Sequence, residues 1–227
     1  MVSVELVIFS TFRLGSALHF AARKGHRTII QMLLREPNIE AHVGDSSKKT
    51  ALHHAAKGGH KDVVEHFLAT TKINVSTADE DGMTALHFAA QSGSPDNVRF
   101  LHAEANIEVN AVDGKHRTPL HLAARVDHFD CVELLLAVSN IAVNAADGDG
   151  MTALHLVATQ SGHLNVVKLL LSHPKIKVNA VDAKEQTSLH LAAKFYHVGE
   201  VELLLSVPNI VVNAVGGAME YKLPGTV

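Results

Sequence analysis

Tryptophan is absent and cysteine occurs once, at Cys131. A lone cysteine excludes a disulfide framework within the chain and any zinc knuckle built from paired cysteines, and it fits a reducing, intracellular, cytoplasmic setting. Aromatic residues make up only 4% of the chain against 47% apolar residues in total. A core must therefore be built from Leu, Val, Ile and Ala, a balance suited to helix-on-helix packing. No apolar run approaches the roughly 18–20 residues that span a bilayer. The opening stretch MVSVELVIFSTFRLG lacks a basic start and contains Glu5, so neither a signal peptide nor a membrane partner is expected. The net charge of −3 is not that of a phosphate-seeking polycation, and no nucleic-acid partner is expected. No Gly-rich phosphate loop follows a strand, and neither G-x-S-x-G nor HExxH occurs. No enzyme and no cofactor are expected.

Against these absences stands one strong presence. Leu-His recurs with its histidines at His19, His53, His87, His121, His155 and His190, spaced 34 residues apart and 35 at the last step. The surrounding text is nearly constant: SALHFAA, TALHHAA, TALHFAA, TPLHLAA, TALHLVA, TSLHLAA. Each copy places a Thr (Ser16 in the first) where an N-cap hydroxyl is wanted, just before an apolar run. Pro119 stands at a first helical position, where a missing N–H costs nothing. Paired alanines such as Ala55 and Ala56 let a neighbouring helix approach, and Gly58-Gly59-His60 or Gln91-Ser92-Gly93 then breaks the helix. A second helix follows, patterned on Val63, Val64, Phe67 and Leu68, and then an alternating segment and a turn that read as a hairpin-like loop. One such unit cannot bury both helices, whereas stacked units cover each other. The spacing predicts an elongated all-α solenoid, helix–turn–helix–loop six times over.

These residues resemble the ankyrin repeat family. Thr118–Ala124, TPLHLAA, matches its signature, and Val109–Asp113, Val143–Asp147 and Val178–Asp182 match its loop, so the resemblance covers about nine-tenths of the chain. It implies short first helices lining a concave groove, second helices forming the back, and finger loops with β-hairpin character beside the groove. It also implies a protein partner. The departures are specific. The period exceeds the family's usual one by a residue, and the fifth unit carries one more in TQSGH. Pro37, Pro174 and Pro208 should end second helices without the customary Gly. Lys48, His116 and Glu185 replace the finger-turn Gly, which predicts altered tips there, and Asp127 and Tyr196 replace the inter-helix Gly. The units start near residues 16, 50, 84, 118, 152 and 187, with an atypical flank over 1–15, the array over 16–214, and a tail or truncated next unit over 215–227.

Histidine is abundant, at seventeen residues. Six lie in the Leu-His column, and His26, His60, His128, His163 and His197 repeat in the inter-helix turn. Neighbours in a column lie about a helix diameter apart, near 10 Å, too far to share a zinc bound at about 2 Å. They are expected to hydrogen-bond loop backbone, and no metal site is expected. Cys131 shares a column with Ile29, Val63 and Val166 and reads as a buried, inert thiol. Asp79, Asp113, Asp147 and Asp182 read as turn formers rather than catalytic carboxylates. Asn110, Asn144, Asn179 and Asn213 resemble the finger asparagines that an oxygen-sensing asparaginyl hydroxylase modifies in the family; the structural alternative is that they bridge adjacent loops.

In a repeat array the varying columns can build the site. The residue after the alanine pair is Arg23, Lys57, Gln91, Arg125, Thr159 and Lys194 in turn, basic or neutral and never acidic, followed in places by Lys24, Val126 and Phe195. The second helices instead carry Asp62, Glu65, Asp96, Glu133, Glu200 and Glu202, which predicts a basic groove and an acidic back. Fingertip signs alternate, through Met83, Arg117 and Met151 among others, which suits a peptide or protein partner better than a nucleic-acid track. The expected function is a non-catalytic interaction scaffold, or alternatively the targeting segment of a larger enzyme, toxin or effector. The expected contacts are Arg23, Lys57, Met83, Arg117, Arg125, Met151, Lys194, Phe195 and Tyr196, with an acidic or amphipathic partner. Leu203, Leu204 and Leu205 in the last unit predict weak self-association through the ends.

Overall fold

From the second repeat on, each first helix begins at a threonine in extended conformation, with Thr50 at φ −75° and ψ 168° and Thr84, Thr118, Thr152 and Thr187 close to it. The histidine three residues on turns back, and its Nδ1 accepts the Thr N–H at 2.9 Å for His53 and 3.1 Å for His87 and His121. Threonine and histidine thus build a capping box in which imidazole does the work usually given to Glu or Gln. The computed structural model describes residues 17–214.

Two compact units divide the chain, at Ala142 and Val143. The first unit holds α1 (17–24), α2 (Arg27–Leu33), α3 (Ala51–Lys57), α4 (Lys61–Thr70), α5 (Ala85–Gln91), α6 (Pro95–His102), α7 (Pro119–Arg125) and α8 (Phe129–Leu136). Within it α3, α5 and α7 pack in series, as do α2, α4, α6 and α8. The second unit holds α9 (Ala153–Ala158), α10 (Leu164–Ser172), α11 (Ser188–Lys194) and α12 (Val198–Leu205), with α9 on α11 and α10 on α12. Such short helices would not persist alone, and stacking supplies their stability. No strand occurs among the described residues, so the fold is all-α.

The buried stripe of the first unit is aliphatic, with Leu18, Leu52, Leu86 and Leu120 and the paired alanines beside them, and the second unit buries Leu154 and Leu189 at the same position of its repeats. The second helices bury Ile30, Val64, Val98, Val132 and Val167. Two buried residues break that pattern. Asn97 is fully buried, its Nδ2 reaching the Ala56 carbonyl only at 3.4 Å and its Oδ1 without a partner. Glu200 is buried as well, which corrects its assignment to an exposed acidic back. Its Oε1 accepts the Gly162 N–H at 2.8 Å. Replacing Asn97 with Val, the residue this column holds in α4 and α10, should raise the unfolding free energy by about 1–2 kcal/mol, since an underpaired amide leaves the core. Urea titration would measure it, and hydrogen exchange over residues 84–117 should slow in parallel; an unchanged midpoint would show that Asn97 is satisfied where it is.

The fingers correct another expectation. Lys48, His116 and Glu185 have φ of 59°, 58° and 58°, the same left-handed backbone as Gly82 and Gly150 at 76°. The tips are therefore not altered. The preceding aspartate imposes the turn: Asp113 Oδ1 accepts the N–H groups of Lys115 and Arg117, both at 2.9 Å, and Asp182 does the same for Lys184 and Gln186 at 2.8 Å. These Asx-type bonds offset the steric cost of a side chain at positive φ.

Candidate functional site

The C-terminal ends of the first helices carry the varying cations. In the first unit Arg23, Lys57 and Arg125 are exposed and Gln91 is half-buried; in the second unit Lys194 is exposed and Thr159 half-buried. Helix geometry accounts for the exposure. Lys57, Gln91, Arg125 and Lys194 are each the last residue of their helix, beyond the face that the alanine pair buries. Three of the cations rest on aromatic rings. The Arg23 guanidinium lies 5.3 Å from the Phe20 centroid, the Lys57 ammonium 5.7 Å from Phe88, and the Lys194 ammonium 5.7 Å from Phe195. Such contacts hold a cation without neutralising it.

Four other cations are paired with acids. Lys49 pairs with Asp79 at 2.9 Å, Lys61 with Asp96 at 3.3 Å, and Arg99 with Asp96 at 3.1 Å. Arg117 gives Nε and Nη2 to Asp113 Oδ2 at 2.9 and 2.6 Å, so this expected contact residue is committed to its own finger. That pairing helps to hold the Asp113 carboxyl below the ordinary carboxylate range despite its burial. No ion pair is formed by Arg23, Lys57, Arg125 or Lys194 among the described residues.

The expected fingertip methionines fall differently. Met83 is 8% exposed, so its side chain packs inward and only its backbone serves the finger, a correction to its expected role at the surface. Met151 is half-buried. Phe195 and Tyr196 are 49% and 85% exposed, and Phe195 stacks on His197 with centroids 5.9 Å apart.

The remaining polar columns are structural. Nε2 of His53 donates towards the Thr77 and Met83 carbonyls at 3.0 and 3.1 Å, that of His87 to Arg117 at 3.0 Å, and that of His155 to Gln186 at 3.1 Å. Turn histidines cap helix ends: His60 donates to the Arg23 carbonyl at 2.9 Å and His128 to Gln91 at 3.2 Å. The Asn110 amide donates to the Asn140 carbonyl and accepts the Ala142 N–H, both at 2.8 Å. Asn144 and Asn179 bridge the following loop in the same way, and Ser76 takes this role through its hydroxyl. Asn213 is exposed and has no such bridge among the described residues. Cys131 is buried, and burial pushes its thiol up to about 11, so little of it is thiolate at neutral pH.

A family model for ankyrin repeats in three copies matches four overlapping windows, over residues 18–113, 71–147, 103–182 and 120–216. The chain belongs to the ankyrin repeat family. Ankyrin repeats are generally protein–protein interaction modules and typically non-catalytic. No curated protein matches the chain. No helix among the described residues is long and apolar enough to cross a membrane.

Within this ankyrin array, sequence reasoning missed three things. Phe88 reads as a core residue and is one, yet its ring also faces the ammonium groups of Lys49 and Lys57. His54 breaks an otherwise apolar column and binds Asp45 at 2.8 Å, which helps to hold that carboxyl low. Beside them His19, Phe20, Arg23, Asp45 and His54 line a pocket of about 150 Å³. The departure of His54 from the Phe/Leu column was the visible signal for it.

Proposed function

We propose that this ankyrin-repeat chain is a non-catalytic scaffold that holds an acidic or amphipathic protein segment on its first-helix ends. We assign the role to the repeats over residues 16–214. The observation that carries the reading is the recurrence of an exposed cation at one position of the first helix. Arg23, Lys57, Arg125 and Lys194 all stand at that position, exposed and without an ion pair among the described residues, and no repeat places an acid there. In the second unit Phe195 and Tyr196 add exposed aromatic surface of the kind that anchors partners. With a captured partner, Lys57→Glu combined with Arg125→Glu should slow association several-fold, with a rate that falls as salt rises. Loss of binding on Glu65→Lys with Glu133→Lys, with the first-helix reversals silent, would move the site to the second helices.

Tyr196 supports the reading independently. It occupies the left-handed position at φ 62°, where Gly25, Gly59, Gly93 and Gly162 stand in other repeats. A side chain there costs about 1–2 kcal/mol, and one so exposed returns little through packing. Tyr196→Gly should therefore stabilise the fold by about 1 kcal/mol and weaken partner binding. Melting curves and binding on the same sample would check both. A stabilised variant with unchanged affinity would remove Tyr196 from the contact surface.

A further inference from the structure

One packing site is filled between the second and third repeats and left open between the first and second. Phe88 is 4% exposed and meets His53 edge to face, with centroids 5.9 Å apart and planes at 87°. The Lys49 and Lys57 ammonium groups stand 5.8 and 5.7 Å from its ring. One repeat earlier the same column holds His54, a smaller ring, which meets His19 at 5.6 Å and 61°. Asp45 holds that imidazole at 2.8 Å. Arg23, the counterpart of Lys57, lies over Phe20 of its own repeat, 5.3 Å from the centroid. These five residues line the pocket of about 150 Å³, and Phe20 walls it at 61% exposure. Its polar groups are unequally engaged. Asp45 accepts the Ser47 and Lys49 N–H groups at 2.9 and 3.0 Å besides holding His54, and His19 Nε2 donates to the Val43 carbonyl at 3.0 Å. Arg23 is exposed and forms no ion pair among the described residues, so its guanidinium is the charge at the rim that is free to meet a ligand.

Resting on the proposed function, we propose that this pocket seats a phenylalanine or tyrosine ring of the partner protein, with an adjacent aspartate or glutamate held by Arg23. The volume of about 150 Å³ falls well below the roughly 300–1,000 Å³ of a cofactor or metabolite site, so the pocket takes one side chain. An aromatic ring suits it for two reasons. The chain itself fills the corresponding slot with Phe88. Two imidazoles and a phenyl wall also offer the edge-to-face contacts that aromatic rings prefer. The acid follows from charge. A planar guanidinium binds a carboxylate through two parallel N–H donors, and its contact with Phe20 leaves its charge in place. Asp45 in the same pocket opposes a second negative charge, which favours a carboxylate over a phosphate dianion. The exposed aromatics Phe195 and Tyr196 lie between Lys194 and His197, the wrong sign for Arg23, so the ligand is a segment of a partner rather than that surface of a second copy.

The test uses the full chain and short labelled peptides read by fluorescence anisotropy. The parent peptide carries Phe flanked by Asp; one variant has cyclohexylalanine for Phe, and another has Asn for both Asp. Cyclohexylalanine keeps the apolar bulk without the aromatic quadrupole and should bind about threefold more weakly. The Asn peptide should lose about threefold as well, and Arg23→Gln should bring the parent down to that level while leaving the Asn peptide unchanged. His54→Phe places in the slot the side chain that Phe88 supplies one repeat on, so it should keep the circular dichroism spectrum and abolish binding. Histidine ring signals of His19 and His54 should shift when the parent peptide is added to the wild-type chain. Should His54→Phe fail to fold, those shifts and the Arg23→Gln comparison decide the matter. Unchanged binding in a folded His54→Phe protein, unshifted ring signals, or no binding of the parent peptide overturns the proposal. Equal affinity for cyclohexylalanine overturns the aromatic ring, and equal affinity for the Asn peptide overturns the acid. Self-association of the chain that His54→Phe abolishes would give the pocket to a second copy and overturn the assignment to a partner. The proposed function itself fails only if Lys57→Glu with Arg125→Glu is silent with a captured partner.

Discussion

Lowering the pH from about 7.5 to about 5.5 should strip several kcal/mol from the stability of the array, and urea midpoints should fall steeply across that window. The cause is the capping box. In His53, His87 and His155 the Nδ1 atom accepts the Thr N–H at 2.9, 3.1 and 3.1 Å, and Nε2 donates to a carbonyl of the next finger. Both ring nitrogens are used by the neutral imidazole. A second proton would sit on Nδ1, facing a donor. Burial holds these three histidines, and His19, below the ordinary value of 6.5, with the finger carbonyls and acids only partly opposing it.

A folded-state pKa below the unfolded one means that the unfolded chain binds the proton first. Stability is thus fully present above about 6.5 and falls as pH drops towards the folded values. Each such histidine contributes up to about 1.4 kcal/mol per pH unit within that window. The lowered carboxyls of Asp45 and Asp113 act in a separate window, starting from 3.8 and running down, so they do not mask the effect. His87→Gln, which keeps a donor and an acceptor but does not titrate, should be less stable at pH 7.5 and shallower in its slope. A flat urea midpoint from pH 7.5 to 5.5 would show that the boxes tolerate the imidazolium.

Glu200→Val should cost about 1.5–3 kcal/mol in the wild-type background and nearly nothing once Gln160 is deleted. In most repeats the N–H of the left-handed turn residue closes onto the helix just ended: Gly59 onto Ala56 at 3.2 Å, Tyr196 onto Ala193 at 3.1 Å. The fifth repeat has one residue more between α9 and α10, and its Gly162 N–H points instead to Glu200, supplied by α12. The carboxylate stands in for the missing carbonyl. Removing it breaks a hydrogen bond from Gly162, an exposed residue, to a charged acceptor, and deleting Gln160 alone orphans a buried carboxylate. Making both changes restores the length and the apolar column of the other repeats. Chemical denaturation of the four proteins gives the coupling directly, and additive costs would mean that turn and carboxylate are independent.

Much of this was legible in the chain itself. The regular return of Leu-His, the threonine caps and the alanine pairs specify one unit, and a unit that cannot cover itself specifies a stack. Local rules suffice there because each decision is made within a few residues. The same rules placed Cys131 in the core and made the finger aspartates into turn formers. They failed at Lys48, His116 and Glu185, where residue type argued for a different tip. The two N–H groups bonded by each aspartate outweigh the missing glycine.

Burial and pairing, by contrast, are decided between repeats. Met83 and Arg117 sit at fingertip positions in the sequence, yet one packs inward and the other is clasped by Asp113. Glu200 carries the same charge as Glu202 two residues away, and only its column against the longer turn of the fifth repeat draws it inside. The amino-acid sequence by itself determined the repeat, the helices and the row of cations. Only the tertiary structure decided which charges are spent on the fold and which stay unpaired, because an ion pair or an orphaned N–H depends on what the neighbouring repeat brings within about 3 Å.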